Sequence, residues 1–288
     1  MLKEFIKKLR QFGKGAPSPS TQPKSKGETW SVLDIVSVIF RTVKLLLNVA
    51  FVFIFFGIVL GAGIGLGYAA SLFSDVSVPK QEELVSQVNK ISGISKLTYA
   101  DGELISEIDN DLLRIPVASD AISDNVKNAI IATEDENFET HNGVVPKAVL
   151  RATLGSVVGV GSSSGGSTLT QQLIKQQVVG DAPTFKRKAV EIVDALALER
   201  YMSKDDILTA YLNVAPFGRN NKGQNIAGVE EAAQGIFGVS AKDLTIPQAA
   251  FIAGLPQSPI VYSPYASDGS MKSPDDMALG LERARNVL

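Results

Sequence analysis

Leu45–Phe73 is a run of 29 residues without a single charge, rich in Leu, Val, Ile, Phe and Gly. About 20 apolar residues cross a bilayer as a helix, so this run predicts one transmembrane helix. A buried core helix is the plain alternative. Residues 1–44 carry nine Lys/Arg (Lys3, Lys7, Lys8, Arg10, Lys14, Lys24, Lys26, Arg41, Lys44) against three acids (Glu4, Glu28, Asp34), and Asp75 follows the run. Basic residues are retained on the cytoplasmic side. The N-terminus is therefore expected in the cytoplasm, with the chain from residue 75 outside. A cleaved signal peptide is rejected, because both the apolar run and the basic region before it are too long. Gly57, Gly61 and Gly65 recur every four residues, as do Gly63 and Gly67, a weak sign of a helix-packing face.

Of the chain's 28 basic and 30 acidic residues, 19 and 27 fall in residues 75–288, a net of −8. Nucleic acid is a poor partner for such a domain, since phosphate binding is dominated by Lys and Arg. There is no cysteine. Disulfides, thiolate metal sites and a cysteine nucleophile are thereby excluded.

Four regions follow. Residues 1–44 form a basic cytoplasmic tail whose Gly/Pro/Ser/Lys-rich stretch 13–29 reads as disordered. Residues 45–73 form the membrane helix, and 74–120 a linker with short extended pieces, where Lys96–Tyr99 before Asp101-Gly102 suggests a hairpin. Residues 121–288 form a mainly helical domain. Ala189, Ile192, Val193, Leu196 and Ala197 make a helical stripe within Thr184–Met202. Asp205–Asn213, Val229–Phe237 and Ile246–Leu255 read as further helices, and Ser273-Pro274-Asp275-Asp276 as the start of a last one. That helix reaches Leu288 without a C-cap, which suggests a chain cut from something longer.

Several segments carry chemistry. Glu134-Asp135-Glu136-Asn137-Phe138-Glu139-Thr140-His141-Asn142-Gly143 follows an apolar-patterned helix (Val126, Ala129, Ile130). A carboxylate where a helix runs into a loop can be partly desolvated and so suited to general-base work. The plain alternative is a solvated acidic helix end. His141 is the only histidine, which leaves no second one for a metal site or a triad. In Gly165-Gly166-Ser167-Thr168-Leu169-Thr170-Gln171-Gln172-Leu173-Ile174-Lys175, Thr168 and Gln171 form a candidate capping box. The helix start is a candidate anion site, with Lys175 beyond it. A nucleotide-binding loop is excluded, because Ser167 rather than Lys follows Gly166. Gly155–Ser164 reads as a mobile flap. Lys188 and Glu191, three apart, share a helix face, and Arg187 lies four before Glu191. The alternative there is an exposed ion-pair lattice.

Together with Tyr211-Leu212-Asn213 and Ala253-Gly254-Leu255-Pro256, these segments resemble, in order and spacing, the motifs of peptidoglycan glycosyltransferases of family 51. Those enzymes form the N-terminal module of class A penicillin-binding proteins. The resemblance covers residues 120–265. It implies a mainly α, lysozyme-like, two-lobed domain that polymerises lipid II with inversion. Under it, Glu134 is the base that takes the 4-hydroxyl proton of the incoming lipid II, and Glu191 is the second essential carboxylate. Lys188, Arg187, Ser167, Thr168, Gln171, Gln172, Lys175 and Asn213 become substrate-binding residues. Asp135, Phe138, His141 and Gly143 support the first motif. The resemblance also admits a divalent cation (Mg or Mn) at the pyrophosphate. The partners implied are lipid II, the lipid-linked glycan, the bilayer, moenomycin-like inhibitors, and other cell-wall synthesis proteins or a second copy.

Two departures stand out: Pro183 where relatives often carry Arg, and Gln248 where Glu is usual, the latter a structural position. A lysozyme-like lytic enzyme and an inactive membrane scaffold are the competing functions. The Gly-Gly-Ser-Thr site and Lys188 argue against the first, and intact Glu134 and Glu191 against the second. Ser77–Lys80 matches SxxK, but no KTG follows, so a transpeptidase is not expected here.

Overall fold

The computed structural model describes residues 32–91, 95–99, 103–108, 112–149, 151 and 166–288. The expected disordered stretch 13–29 and the flap Gly155–Ser164 lie outside them. The chain divides into two compact units, residues 1–67 and 68–288.

Helix α1, Val32–Ser74, is longer than the uncharged run and begins 13 residues before it. Its 43 residues rise about 65 Å at 1.5 Å each, roughly twice the hydrocarbon core of a bilayer. The extension carries Asp34, Arg41 and Lys44, and the uncharged run lies wholly within the helix. Residues Ile35–Ser74 are long and apolar enough to cross a membrane, and none of the most apolar stretch is buried by the rest of the chain. A Cβ added at Gly57, Gly61 or Gly65 would meet nothing within 4 Å among the described residues.

Helix α2, Gln81–Val88, falls in the stretch expected to be linker. Leu84 and Val88, one turn apart, are buried. Burying two such side chains stabilises by about 1.5–3 kcal/mol each, enough to fold a segment whose polar residues hide the pattern. The expected hairpin is present, with β1 (Ser95–Thr98) antiparallel to β2 (Leu104–Ile108). A small second sheet joins β3 (Leu112–Leu113), β5 (Asn225–Ala227) and β4 (Pro216–Arg219) in that order.

The rest is helical, in keeping with the mainly α, lysozyme-like fold. It comprises α3 (Asp124–Glu134), α4 (Leu169–Ile174), α5 (Phe185–Tyr201), α6 (Lys204–Val214), α7 (Val229–Phe237), α8 (Ile246–Gly254), α9 (Pro259–Tyr262) and α10 (Pro274–Val287). Hydroxyl caps set most of the starts: Ser123, Thr168, Thr184, Ser203 and Ser273 each accept from a backbone N–H of the first turn. Gln248 is structural as expected, its Oε1 accepting from Thr245 N–H at 3.0 Å. One core runs from Val126 and Ile130 of α3 through Leu169 and Leu173 of α4 to Leu198, Tyr211 and Ile252. The short α4 is therefore surrounded by core on one side and carries the site residues on its remaining face.

Candidate active site

Helix α3 ends at Glu134, and Asp135 leaves it with an extended φ of −158°. The loop that follows is held by a closed set of hydrogen bonds. Asp135 Oδ2 accepts from His141 Nε2–H at 2.8 Å and from Leu169 N–H at 2.9 Å. Gly143 N–H donates to His141 Nδ1 at 2.9 Å. A nitrogen that accepts carries no proton, so the neutral ring has its hydrogen on Nε2. Phe138 is fully buried, edge-on to the His141 ring. Lys204 Nζ sits 4.5 Å above the Phe138 ring and donates to His141 O at 2.7 Å and to Glu199 at 2.8 Å. Gly143 has φ +92°, and a Cβ there would lie 2.5 Å from Ala195 O, so both conformation and space demand glycine.

The capping box at α4 is present. Thr168 Oγ1 accepts from Gln171 N–H at 3.1 Å, and Gln171 Oε1 accepts from Thr168 N–H at 3.2 Å. The same Thr168 hydroxyl donates to Gly143 O at 2.6 Å, tying the two motifs together. At the helix start the first N–H groups are used within the fold while Gly166, Ser167 and Thr168 line a cavity. The N–H groups of Thr168, Leu169 and Gln171 donate to Gln171, Asp135 and Thr168, and Leu169 and Thr170 are fully buried.

Two cations stand on α5, Arg187 and Lys188. Glu191 is buried at 1% exposure, so the exposed-lattice alternative fails. Its Oε1 accepts from Lys188 Nζ and from Gln171 Nε2, the latter at 3.1 Å. Its Oε2 accepts from Arg187 Nη1 at 2.7 Å. Two cations on one buried carboxylate leave a net positive cluster, and a buried carboxylate needs such pairing. Lys188 Nζ also donates to Ser167 Oγ at 2.9 Å, and Ser167 lines a cavity of about 330 Å³.

Glu134 lines the same cavity, together with Lys147, Arg151 and Gly166. Its Oε2 accepts from Gln172 Nε2 at 3.1 Å, and its Oε1 lies 3.7 Å from Arg283 Nη2 of α10. Tyr211 of α6 donates to Gln172 Oε1 at 3.2 Å. Burial, and then the Glu134 carboxylate, hold the Tyr211 phenol well above its ordinary value, so it remains a donor.

Four expected substrate-binding residues, of which Thr168 also lines the cavity, make side-chain hydrogen bonds within the fold. Thr168 and Gln171 are buried and satisfied within the fold, and Gln172 bridges Tyr211 and Glu134. Asn213 accepts from Val117 N–H at 2.9 Å and donates to Val117 O at 2.8 Å, a structural tie with both amide ends used. Lys175 pairs with the exposed Asp181 at 2.8 Å rather than with either motif carboxylate. One turn beyond Glu191, burial pushes the Asp194 carboxyl up to about 6.

A transglycosylase family model matches residues 101–284. The chain belongs to the transglycosylase family. Its relatives include penicillin-binding protein 1A of Clostridium botulinum (strain Langeland), 37% identical over 249 residues, covering 85% of this chain and 28% of that protein. Penicillin-binding protein 1F of Bacillus subtilis is 33% identical over 216 residues, covering 75% of this chain and 29% of its own length. Penicillin-binding protein 1A/1B of Bacillus subtilis is 38% identical over 189 residues, covering 65% and 19% respectively. The transglycosylase chain thus spans under a third of the length of these relatives.

Tyr211, Glu199, Lys204 and Arg283 carry no role in the sequence pattern alone. Tyr211 stands two residues before Asn213 in the Tyr211-Leu212-Asn213 motif, which is a positional signal. Nothing local marks Arg283, which reaches Glu134 from 149 positions away only because α10 packs back on α3 and α8.

Proposed function

We propose that this chain is a membrane-anchored peptidoglycan glycosyltransferase that polymerises lipid II. The observation that carries this reading is the contrast between its two carboxylates. Glu191 is enclosed by Lys188, Arg187 and Gln171, whereas Glu134 stands on the cavity with a neutral amide on one oxygen. A carboxylate already bound to two cations is a poor proton acceptor; one beside a cavity and held by an amide is a good one.

Glu134 takes the proton of the acceptor's 4-hydroxyl as that oxygen attacks the anomeric carbon. The bond from that carbon to the lipid pyrophosphate breaks, and configuration inverts. Lys188, with Ser167 beside it, meets the charge that grows on the departing pyrophosphate. Glu191 holds Lys188 and Arg187 in place. Asp135, Phe138, His141 and Gly143 keep the loop after Glu134 in one shape. A divalent cation finds no matching donor set: Glu191 is neutralised by two side chains and Asp135 is committed to His141 and Leu169 N–H. Among the described residues no three His, Cys, Asp or Glu stand together as ligands. No step is therefore routed through a metal.

The apolar α1 suits substrates that are themselves held in a bilayer. In this reading residues 1–44 are cytoplasmic, 45–73 span the membrane, 74–120 link, and 121–288 work outside the cell. The relatives are named penicillin-binding proteins; in this reading the setting is cell-wall synthesis, with moenomycin-like inhibitors and other synthesis proteins as partners.

The test is incubation of the full chain, in detergent, with fluorescent lipid II and, separately, with finished glycan strands. Longer strands from lipid II are expected. Shortened strands would favour a lytic enzyme, and no change in either substrate would favour a scaffold.

A further inference from the structure

Glu134 has two oxygens in different surroundings, and the proposed reaction needs only one of them. Gln172 Nε2 donates to Oε2 at 3.1 Å. A carboxylate can only accept, so the Gln172 amide must turn its nitrogen to Glu134 and its oxygen away. That oxygen accepts from the Tyr211 hydroxyl at 3.2 Å. Tyr211 is fully buried on α6, among the largest side chains of the core. Its hydroxyl is thus a fixed donor with one defined acceptor, and the amide cannot flip without leaving a buried polar atom unpaired.

Resting on the glycosyltransferase reading, we infer that Tyr211 is a positioning residue for the base. Through Gln172 it occupies Oε2 of Glu134 and leaves Oε1 to receive the proton of the acceptor hydroxyl. The proton moves from the sugar oxygen to Oε1 as the new C–O bond forms and the bond to pyrophosphate breaks. Among the described residues no hydrogen bond is made to Oε1, and the cation paired with it, Arg283 Nη2, stands at 3.7 Å. At that separation the guanidinium does not occupy the oxygen. Gln172 is therefore not a substrate ligand; it transmits the position of a core tyrosine to the reacting group. The Tyr211 side chain touches neither sugar, and its effect should appear in turnover rather than in binding.

The experiment is a double-mutant cycle in the full chain with Tyr211→Phe, Gln172→Leu and the pair. Turnover is measured with lipid II and normalised to the number of sites that bind a pyrophosphate-containing phosphoglycolipid, which corrects for misfolded protein. Tyr211→Phe should lower kcat per site about ten-fold, with KM and phosphoglycolipid affinity unchanged within about two-fold. The pair should be no slower than Gln172→Leu alone, since both changes cut one chain of contacts. Wild-type kcat per site in Tyr211→Phe would overturn the inference, as would effects that multiply in the pair. If Tyr211→Phe does not fold, Gln172→Leu decides: wild-type kcat per site overturns the relay, and a loss in kcat alone upholds it. Glu134→Gln run in parallel separates the two levels. An active Glu134→Gln defeats the glycosyltransferase base itself, whereas an inactive one beside a fully active Tyr211→Phe defeats only the relay.

Discussion

Gln171 and Gln172 are neighbours in the chain, yet their side-chain amides each donate at 3.1 Å to a different carboxylate, Gln171 to Glu191 and Gln172 to Glu134. Successive residues on a helix point about 100° apart. The first turn of α4 therefore stands between the two acidic centres and sets both. This explains why a helix of only six residues is fixed from every side, by a capping box, by Asp135 and by the Gly143 carbonyl.

Glu134→Gln keeps the size of the side chain and removes the proton acceptor. General-base catalysis contributes about 10²–10⁴-fold, so glycan synthesis should fall by that order with the melting temperature little changed. Near-normal synthesis, followed by gel electrophoresis of labelled strands, would remove Glu134 from the role.

Lys188→Ala should weaken binding of a pyrophosphate-containing phosphoglycolipid while Glu134→Gln binds it almost normally. Charge-assisted contacts are about twice as strong as neutral ones, and loss of about ten-fold in affinity is expected at fixed, low salt. Equal affinity of Lys188→Ala and wild type in direct titration would reduce Lys188 to a structural partner of Glu191.

Gly143→Ala should be among the most destabilising single changes in the domain. The residue sits at φ +92°, and the added Cβ would lie 2.5 Å from Ala195 O. Backbone strain of about 1–3 kcal/mol and the clash add together, so a clear drop in melting temperature is expected. Unchanged thermal unfolding would show that the loop can shift freely, contrary to the bonds at His141 and Thr168.

Asp194→Asn should stabilise the fold at neutral pH. Burial raises the folded Asp194 carboxyl from 3.8 to about 6. Between those values the folded state binds more protons than the unfolded one, so stability falls as pH rises through that window. The asparagine should remove this fall, with a gain of about 1 kcal/mol at pH 7 after allowance for solvent screening. Below pH 4 the two proteins should unfold alike. Parallel denaturant curves at pH 4 and pH 7 make the comparison.

What the sequence determined by itself was the part written in short-range pattern. The apolar run required a long exposed helix, Thr168 and Gln171 predicted their own capping box, and the spacing of Lys188 and Glu191 put both on one face of α5. Each of these depends on residues within four positions of one another, where helix geometry fixes the outcome. Tertiary structure decided the rest. It buried Glu191 and engaged the first N–H groups of α4 within the fold. It turned Asn213 onto Val117 and brought Tyr211, through Gln172, and Arg283 to Glu134. It also folded α2 from a stretch that reads as linker. The physical reason is common to all of these. Whether a polar group faces a ligand or a neighbour depends on which donors and acceptors the packed helices bring within about 3 Å, and those partners lie tens to well over a hundred residues away in the chain.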